Sequence, residues 1–307
     1  MTLKGKRVLV TGGAGFIGSH TVDALLRGGA KVAIIDNFLT GQRRNINPRA
    51  KVYRLNIASP KVQAVFKKFK PDYVYHFAFY VLVPKSSQNP LLDSDSIIGS
   101  INLLRAARET GVKKFIFSSS GFLYGNTKIL PTKEAQPVIP VSPYVVAKFA
   151  VESYLQYFKS AFGLPYVVLR YSAVYGPRQV TGAMADYIAK LAHGRQSEIW
   201  GKGDKTRDYV YVEDVVRANL GALKVPVNHP NPVFNIGTGN ETTLLALYKT
   251  LAKMLGREAK PIFLPDRPGE QYRYALDSSK ARKFLGWAPR WSLARGLAVT
   301  LKTRKLI

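Results

Sequence analysis

Tyr144 and Lys148 stand four residues apart in Tyr144-Val145-Val146-Ala147-Lys148, within a stretch of helical patterning from Tyr144 to Phe162. On a helix this spacing sets a phenol and an ammonium one turn apart on the same face. A tyrosine is a poor base at neutral pH because its ordinary pKa is about 10, and a fixed cation beside it favours the phenolate. Such a pair could take a proton from an alcohol. Ser118-Ser119-Ser120 lies at and just beyond the end of the apolar run Phe115 to Ser119. If that run is a parallel strand, its C-terminal end is where open α/β sheets bind ligands, and a serine hydroxyl is at hand. Tyr-x-x-x-Lys alone is common by chance, so the pair takes its weight from that context.

A second constellation is Thr11-Gly12-Gly13-Ala14-Gly15-Phe16-Ile17-Gly18, in which Gly13, Gly15 and Gly18 satisfy G-x-G-x-x-G between a strand pattern and a helix pattern. The glycines permit a tight turn, close approach of backbone to a pyrophosphate, and close packing of the helix, whose N-terminal N–H groups then hold the anion. Asp36 ends the next apolar run 18 residues after Gly18, close to the spacing expected of the acid that accepts the ribose 2′-OH of a dinucleotide. A carboxylate there repels a 2′-phosphate, so NAD is preferred to NADP, although Arg43 and Arg44 stand close enough in sequence to weaken that preference.

These residues need a scaffold that brings strand ends together. The runs Arg7 to Thr11, Val32 to Asp36, Val52 to Leu55, Tyr73 to Ala78, Phe115 to Ser119 and Val167 to Tyr171 read as strands. They alternate with amphipathic stretches at Ser19 to Arg27, Ile98 to Thr110 and Tyr144 to Phe162. Repeated βαβ units with right-handed crossovers make a doubly wound parallel sheet, the Rossmann arrangement of the α/β class. After Tyr171 the pattern is less regular, with Gly176-Pro177-Arg178, Gly201 to Asp204, a late strand at Val233 to Ile236, and helices at Thr243 to Leu255 and Ser278 to Leu285. The expected division is a dinucleotide-binding domain over 1–171, joined by a returning strand near 233–237, and a smaller substrate-binding lobe over 172–307.

Composition bounds the remaining possibilities. The 307 residues are 46% hydrophobic and 21% charged, which excludes a disordered or fibrous chain. Zero cysteines exclude a disulfide scaffold, cysteine-held zinc or iron–sulfur, and a thiol nucleophile; no metal site is expected, and a cytoplasmic location is the default. No run of 18 apolar residues exists and Met1 to Val10 carries no signal-like apolar segment, so no membrane partner is expected. The formal charge of +27 attracts phosphates and polyanions through its field. The basic residues are scattered and no nucleic-acid-binding signature stands out, so no specific nucleic acid is expected.

With these motifs in order, the chain resembles the extended short-chain dehydrogenase/reductase family and, within it, the NAD-dependent nucleotide-sugar epimerases. The resemblance rests on TGGAGFIGSH (11–20), IDNFLTG (35–41), FSSS with the following YG (117–125), SPYVVAK (142–148), LRYSAVYGPRQ (169–179), TRDYVYVEDV (206–215), FNIGTG (234–239) and RPGE (267–270). It implies a catalytic set of Ser120, Tyr144 and Lys148, with Tyr144 taking the proton of a sugar 4-OH, Ser120 hydrogen-bonding the reacting oxygen, and Lys148 holding the nicotinamide ribose. It implies NAD contacts from Gly12, Gly13, Gly15, Phe16, Ile17, Gly18, Asp36, Asn37, Thr40, Gly41, Asn56 and Ile57, and from Phe77, Ala78, Ser118, Tyr144, Lys148 and Tyr171. For a UDP-hexose it implies Ser120, Ala173, the diphosphate clamps Arg207 and Arg267, Glu270, and Tyr274 bounding the sugar. A homodimer joined through the helices near Ile98 to Thr110 and Tyr144 to Phe162 is implied as well.

The chain also departs from the family pattern. Asn56 stands where an Asp is usual, Phe79 follows Ala78 where a second Ala is usual, and Ser96 and Ala173 each replace an Asn. At Ala173 two readings stand: a lost substrate contact made good by backbone or water, or a changed substrate. Gly121 and Phe122 follow Ser120 where dehydratases of the family carry Asp-Glu, and neither can transfer a proton, which argues against a 4,6-dehydratase. Rival readings are a uronate epimerase or decarboxylase on the same scaffold, and a non-catalytic NAD-fold protein binding RNA. His76 and Trp200 read as packing residues.

Overall fold

In a parallel sheet covered on both sides, strands read as continuous apolar runs, and the runs of this chain fold that way. The computed structural model describes residues 3–266 and 271–307. Strands β1 (Arg7–Thr11), β2 (Lys31–Asp36), β3 (Lys51–Arg54), β4 (Tyr73–His76), β5 (Lys114–Ser120) and β6 (Tyr166–Tyr171) alternate with helices α1 (Phe16–Arg27), α2 (Val62–Phe69), α3 (Val83–Gln88), α4 (Ser94–Glu109) and α5 (Pro143–Phe162). The chain then leaves the sheet through β7 (Ala173–Tyr175), α6 (Ala183–Ala192), β8 (Glu198–Trp200), β9 (Thr206–Arg207), β10 (Tyr209–Tyr211) and α7 (Val212–Ala222). It returns as β11 (Val233–Ile236) and continues through β12 (Thr242–Thr243), α8 (Leu244–Met254), β13 (Ile262–Leu264), α9 (Ser279–Leu285) and α10 (Leu293–Thr303).

The main sheet has seven strands in the order β3-β2-β1-β4-β5-β6-β11, every neighbouring pair parallel. From β1 the chain builds outward to β3 and then crosses back to β4 on the other side of β1, so a crevice opens above the β1 and β4 ends. One face of the sheet packs Val22 and Leu25 of α1, Val215 and Ala218 of α7, Leu285 of α9 and Trp287 into a single apolar cluster. The other packs Phe66 of α2, Leu103 and Leu104 of α4, and Val151, Leu155 and Phe158 of α5. A third cluster, with Ile188, Leu191, Leu247, Leu251, Leu297 and Leu301, joins α6, α8 and α10 beside the crevice. Burying each such side chain is worth about 1.5–3 kcal/mol, which fixes the layers on which the crevice rests.

Some boundaries differ from the apolar pattern for physical reasons. Helix α1 starts at Phe16 rather than Ser19, because Gly15 caps it and its carbonyl accepts from Ser19 N at 3.1 Å. The fourth run stops at His76 rather than Ala78: Phe77 N donates to Thr11 O at 3.1 Å and Ala78 N to Thr11 Oγ1 at 3.2 Å, which folds the chain over the end of β1. Helices α2, α3, α6, α7 and α10 lie outside the expected set. In α2 only Val62, Val65 and Phe66 are buried, a stripe too short to separate from a loop by period alone.

Candidate active site

The loop between β1 and α1 is built by excluding side chains. A Cβ on Gly12, whose φ is +70°, would sit 2.6 Å from Ala78 N, and one on Gly18 would sit 2.1 Å from Gly12 O. Gly13 meets Ile34 underneath, where a Cβ would be 2.8 Å from two of its carbons, so it packs the loop on β2 and is not part of the crevice lining. Helix α1 has no side-chain cap and no acidic residue in its first turn, leaving its N-terminal N–H groups to an anion. Asp36, at the tip of β2, accepts from Ala14 N at 2.9 Å and Phe38 N at 2.8 Å. Burial raises its pKa, and those two hydrogen bonds pull the other way.

A cleft of about 930 Å³ runs from this loop across the strand ends. Gly12, Gly15, Phe16, Ile17, Gly18, Asp36, Asn37, Thr40, Gly41, Asn56, Ile57, Phe77, Ala78, Ser118, Ser120, Tyr144, Lys148, Tyr171 and Ala173 all line it. Two constellations that lie more than a hundred residues apart in sequence thus share one cavity.

At its far end, β5 delivers the serines and α5 delivers Tyr144 and Lys148. Ser120 Oγ accepts from Phe122 N at 3.2 Å, and the Ser120 and Tyr144 side chains line the same end of the cleft. Burial pushes the Tyr144 pKa up and the Asp93 carboxylate adds to that, with Ser120 working against both. Lys148 is 2% exposed, and its Nζ donates to Ser118 O at 2.6 Å. Burial lowers the Lys148 pKa to about 7, opposed by the carboxylates of Glu152 and Asp93. The ammonium also lies 3.8 Å from the ring centroid of Phe79 and 4.7 Å from that of Phe117. The arrangement can receive a proton at the phenol, support it from below with a cation, and hydrogen-bond an oxygen through Ser120.

Several supports of this site carry no motif. Glu152 continues the face of Tyr144 and Lys148 by one more turn and meets Arg170 of β6 at 2.6 Å, with both side chains 7% exposed. Ser119 donates to the same carboxylate, Arg170 Nη1 donates to Tyr124 OH at 2.8 Å, and Tyr124 donates to Asn235 Oδ1 of β11 at 2.8 Å. The i+8 position of Glu152 on the Tyr144 face was the available signal. Asp93, 3% exposed and hydrogen-bonded by Ser86, has no such signal. His76 has both ring nitrogens engaged, at 2.8 Å to Thr11 and 2.8 Å to Ser100, and burial holds its pKa well below the usual range, so it is a neutral packing group.

On the substrate side the structure sorts the expected residues differently. Tyr274 is 1% exposed and lies one layer behind the cleft wall. Its ring stacks on Phe122 at 4.9 Å and its hydroxyl donates to Tyr171 O at 3.1 Å. Gly121 makes room for it, since a Cβ there would be 2.1 Å from the Tyr274 hydroxyl. Phe122 is the ring that lines the cleft. Arg207 lies outside the lining; its guanidinium is 5.6 Å from the Phe122 ring centroid, with Nη1 donating to Thr206 O and Gln271 O. Arg267 and Glu270 lie outside the described residues.

A doubly wound sheet with a glycine loop, an acid at the second strand tip and a Ser, Tyr and Lys group at the switch-point crevice defines a dinucleotide-dependent enzyme of the short-chain dehydrogenase/reductase type. The chain belongs to the NAD dependent epimerase/dehydratase family, whose signature matches residues 8–237. A putative UDP-glucose 4-epimerase of Methanocaldococcus jannaschii is 39% identical over 296 residues, covering 94% of this chain and 95% of that one. The structure of UDP-glucose 4-epimerase with UDP-glucose from Thermotoga maritima superposes with a TM-score of 0.94 at 42% identity, covering 97% of this chain and 99% of the other. That of the Thermus thermophilus UDP-glucose 4-epimerase complex with NAD gives 0.91 at 35% identity, with the same coverage of 97% and 99%.

Proposed function

We propose that this chain is an NAD-dependent nucleotide-sugar epimerase that inverts C4 of a UDP-hexose, interconverting UDP-glucose and UDP-galactose. The observation that carries the reading is that Tyr144, Ser120 and buried Lys148, one turn from Tyr144, line the same cleft that the glycine loop opens. The cleft suits NAD: Gly12 lets the loop close against the Phe77–Ala78 backbone, the α1 N-terminus is bare, and Asp36 stands at the tip of β2 beside the loop. Gly12, Gly15 to Gly18, Asp36, Asn37, Thr40, Gly41, Asn56, Ile57, Phe77, Ala78, Ser118 and Tyr171 would hold it. Bound there, NAD supplies the acceptor and later the donor of the C4 hydride.

The side chains handle the proton and the sugar. Tyr144 takes the 4-OH proton and returns it after the 4-keto sugar has turned over in the cleft, and Ser120 hydrogen-bonds the oxygen in both orientations. The ammonium of Lys148 lowers the cost of the phenolate and holds the nicotinamide ribose. Phe122 bounds the sugar with Tyr274 packed behind it. Ala173 offers the substrate no side-chain hydrogen bond, and the second reading is a uronate epimerase or decarboxylase on the same scaffold. Incubation with UDP-galactose, followed by chromatographic separation of UDP-glucose, tests the proposal. Turnover of UDP-glucuronate alone overturns the hexose and supports the second reading, and no turnover of either overturns both.

Exposed Ile98 on α4 and exposed Val146, Phe149, Tyr154, Tyr157 and Phe162 on α5 support a homodimer through these two helices. The proposed division of labour keeps NAD on 1–171 with β11 and the substrate mainly on 172–307. Among the described residues no helix is long and apolar enough to cross a membrane. The cysteine-free composition supports a cytoplasmic place.

A further inference from the structure

The geometry points to Phe79 as a positioning residue for Lys148: its ring holds the ammonium over Ser118 O and keeps water from it. The inference rests on the proposed role of Lys148 and deepens it. The backbone on each side of Phe79 is tied down, Ala78 N to Thr11 Oγ1 at 3.2 Å and Tyr80 N to Ser96 Oγ at 2.9 Å, with Thr11 and Ser96 both buried. The aim of the ring is therefore set by backbone anchors as well as by its packing. It presents its face to Lys148 Nζ at 3.8 Å from the centroid and meets the Tyr144 ring nearly perpendicularly, at 5.9 Å and 88°. One side chain thus contacts both members of the pair.

An ammonium carries three N–H donors. Here one goes to Ser118 O, and the faces of Phe79 and Phe117 lie against the same group. An aromatic face carries partial negative charge, so it favours the cation while its bulk dries the site. These two effects act oppositely on the Lys148 charge, and they can be separated by substitution. The other charged or titratable groups facing Lys148 are Tyr144 and Glu152 from its own helix, Asp93 from the turn before α4, and His76 from β4. Of these, Tyr144 and His76 also pack against the Phe79 ring, at 5.9 and 6.4 Å between ring centroids.

Leucine at 79 would keep the site dry without the ring face, so deprotonation of Lys148 would become easier. Alanine would admit water to the ammonium and make deprotonation harder. The test follows the dissociation constant of NAD by titration calorimetry from pH 5.5 to 9.5, together with kcat on UDP-galactose, in wild type, Phe79→Leu, Phe79→Ala and Phe79→Tyr. The alkaline limb, where charged Lys148 is lost, is expected to move down by roughly half a pH unit in Phe79→Leu and up by roughly as much in Phe79→Ala. Phe79→Tyr keeps the ring and is expected to overlay wild type, which also serves as the folding control. A limb that stays put in both Leu and Ala variants, or moves the same way in both, overturns the inference. Limbs in NAD binding that move as stated without any UDP-hexose turnover uphold the role of Phe79 and overturn the substrate reading instead.

Discussion

The two ends of the cleft are held by different means. At the glycine end the contacts are backbone: a turn without side chains, bare N–H groups, and Asp36 fixed by two amides. At the reacting end the contacts are side-chain: Tyr144 and Lys148 stand on a lattice running from Ser119 and Glu152 through Arg170 and Tyr124 to Asn235. A backbone cradle tolerates no added atom, whereas a side-chain lattice tolerates changes that keep every polar group paired. The difference predicts which substitutions abolish a function and which only loosen it.

The largest expected effect is on the chemistry. Tyr144→Phe removes the proton acceptor and keeps the ring and Lys148, so turnover should fall about 10²- to 10⁴-fold with NAD affinity nearly unchanged. Steady-state rates paired with calorimetry check this, and retention of near wild-type epimerisation would falsify the assignment. Next comes the lattice: Glu152→Ala leaves the Arg170 guanidinium buried and unpaired, which should cost about 3–5 kcal/mol of stability, read by denaturant unfolding. A loss under about 1 kcal/mol would show that the ion pair is dispensable.

Lys148→Met should act in the opposite direction on stability. The folded pKa of Lys148 is depressed to about 7 from an ordinary 10.5, so the buried ammonium destabilises the fold fully below pH 7, and that penalty fades as pH rises toward 10.5. The variant should be more stable by roughly 1–3 kcal/mol at pH 6, with less gain at pH 9, while NAD binding weakens. Equal gains at both pH values would contradict the linkage. The smallest effect belongs to the backbone end: one charge repulsion from Asp36 against a 2′-phosphate is worth about 1.4 kcal/mol, so NAD should bind about tenfold more tightly than NADP. Equal affinities would mean that Arg43 and Arg44 offset Asp36.

This contrast also explains what was legible before the structure. The glycine loop, Asp36, the Tyr144–Lys148 spacing and the alternation of strands and helices could be read because each demands particular residue types at fixed local intervals. The lattice could not, since it joins residues 119, 124, 152, 170 and 235, each unremarkable among its neighbours. The depth of Tyr274 was hidden for a related reason, because the notch that admits it is Gly121, more than a hundred residues away. Two departures from the family pattern also find local partners: Asn56 Nδ2 donates to Asp95 Oδ2 at 2.9 Å, where an aspartate would oppose a carboxylate, and Ser96 anchors Tyr80. Nothing in the structure explains Ala173.

Strand β11 reaches the sheet late, and this bears on how the chain is made. The outer edge of β6 waits for Val233–Ile236, about 60 residues further on, before its hydrogen bonds are filled. Until those residues leave the ribosome, the nascent chain presents Val167, Val168 and Leu169 on an open edge, a template for pairing with a neighbour. A fragment stopped at residue 230 should therefore gather into aggregates, even though it already contains the glycine loop and the whole Ser, Tyr and Lys group.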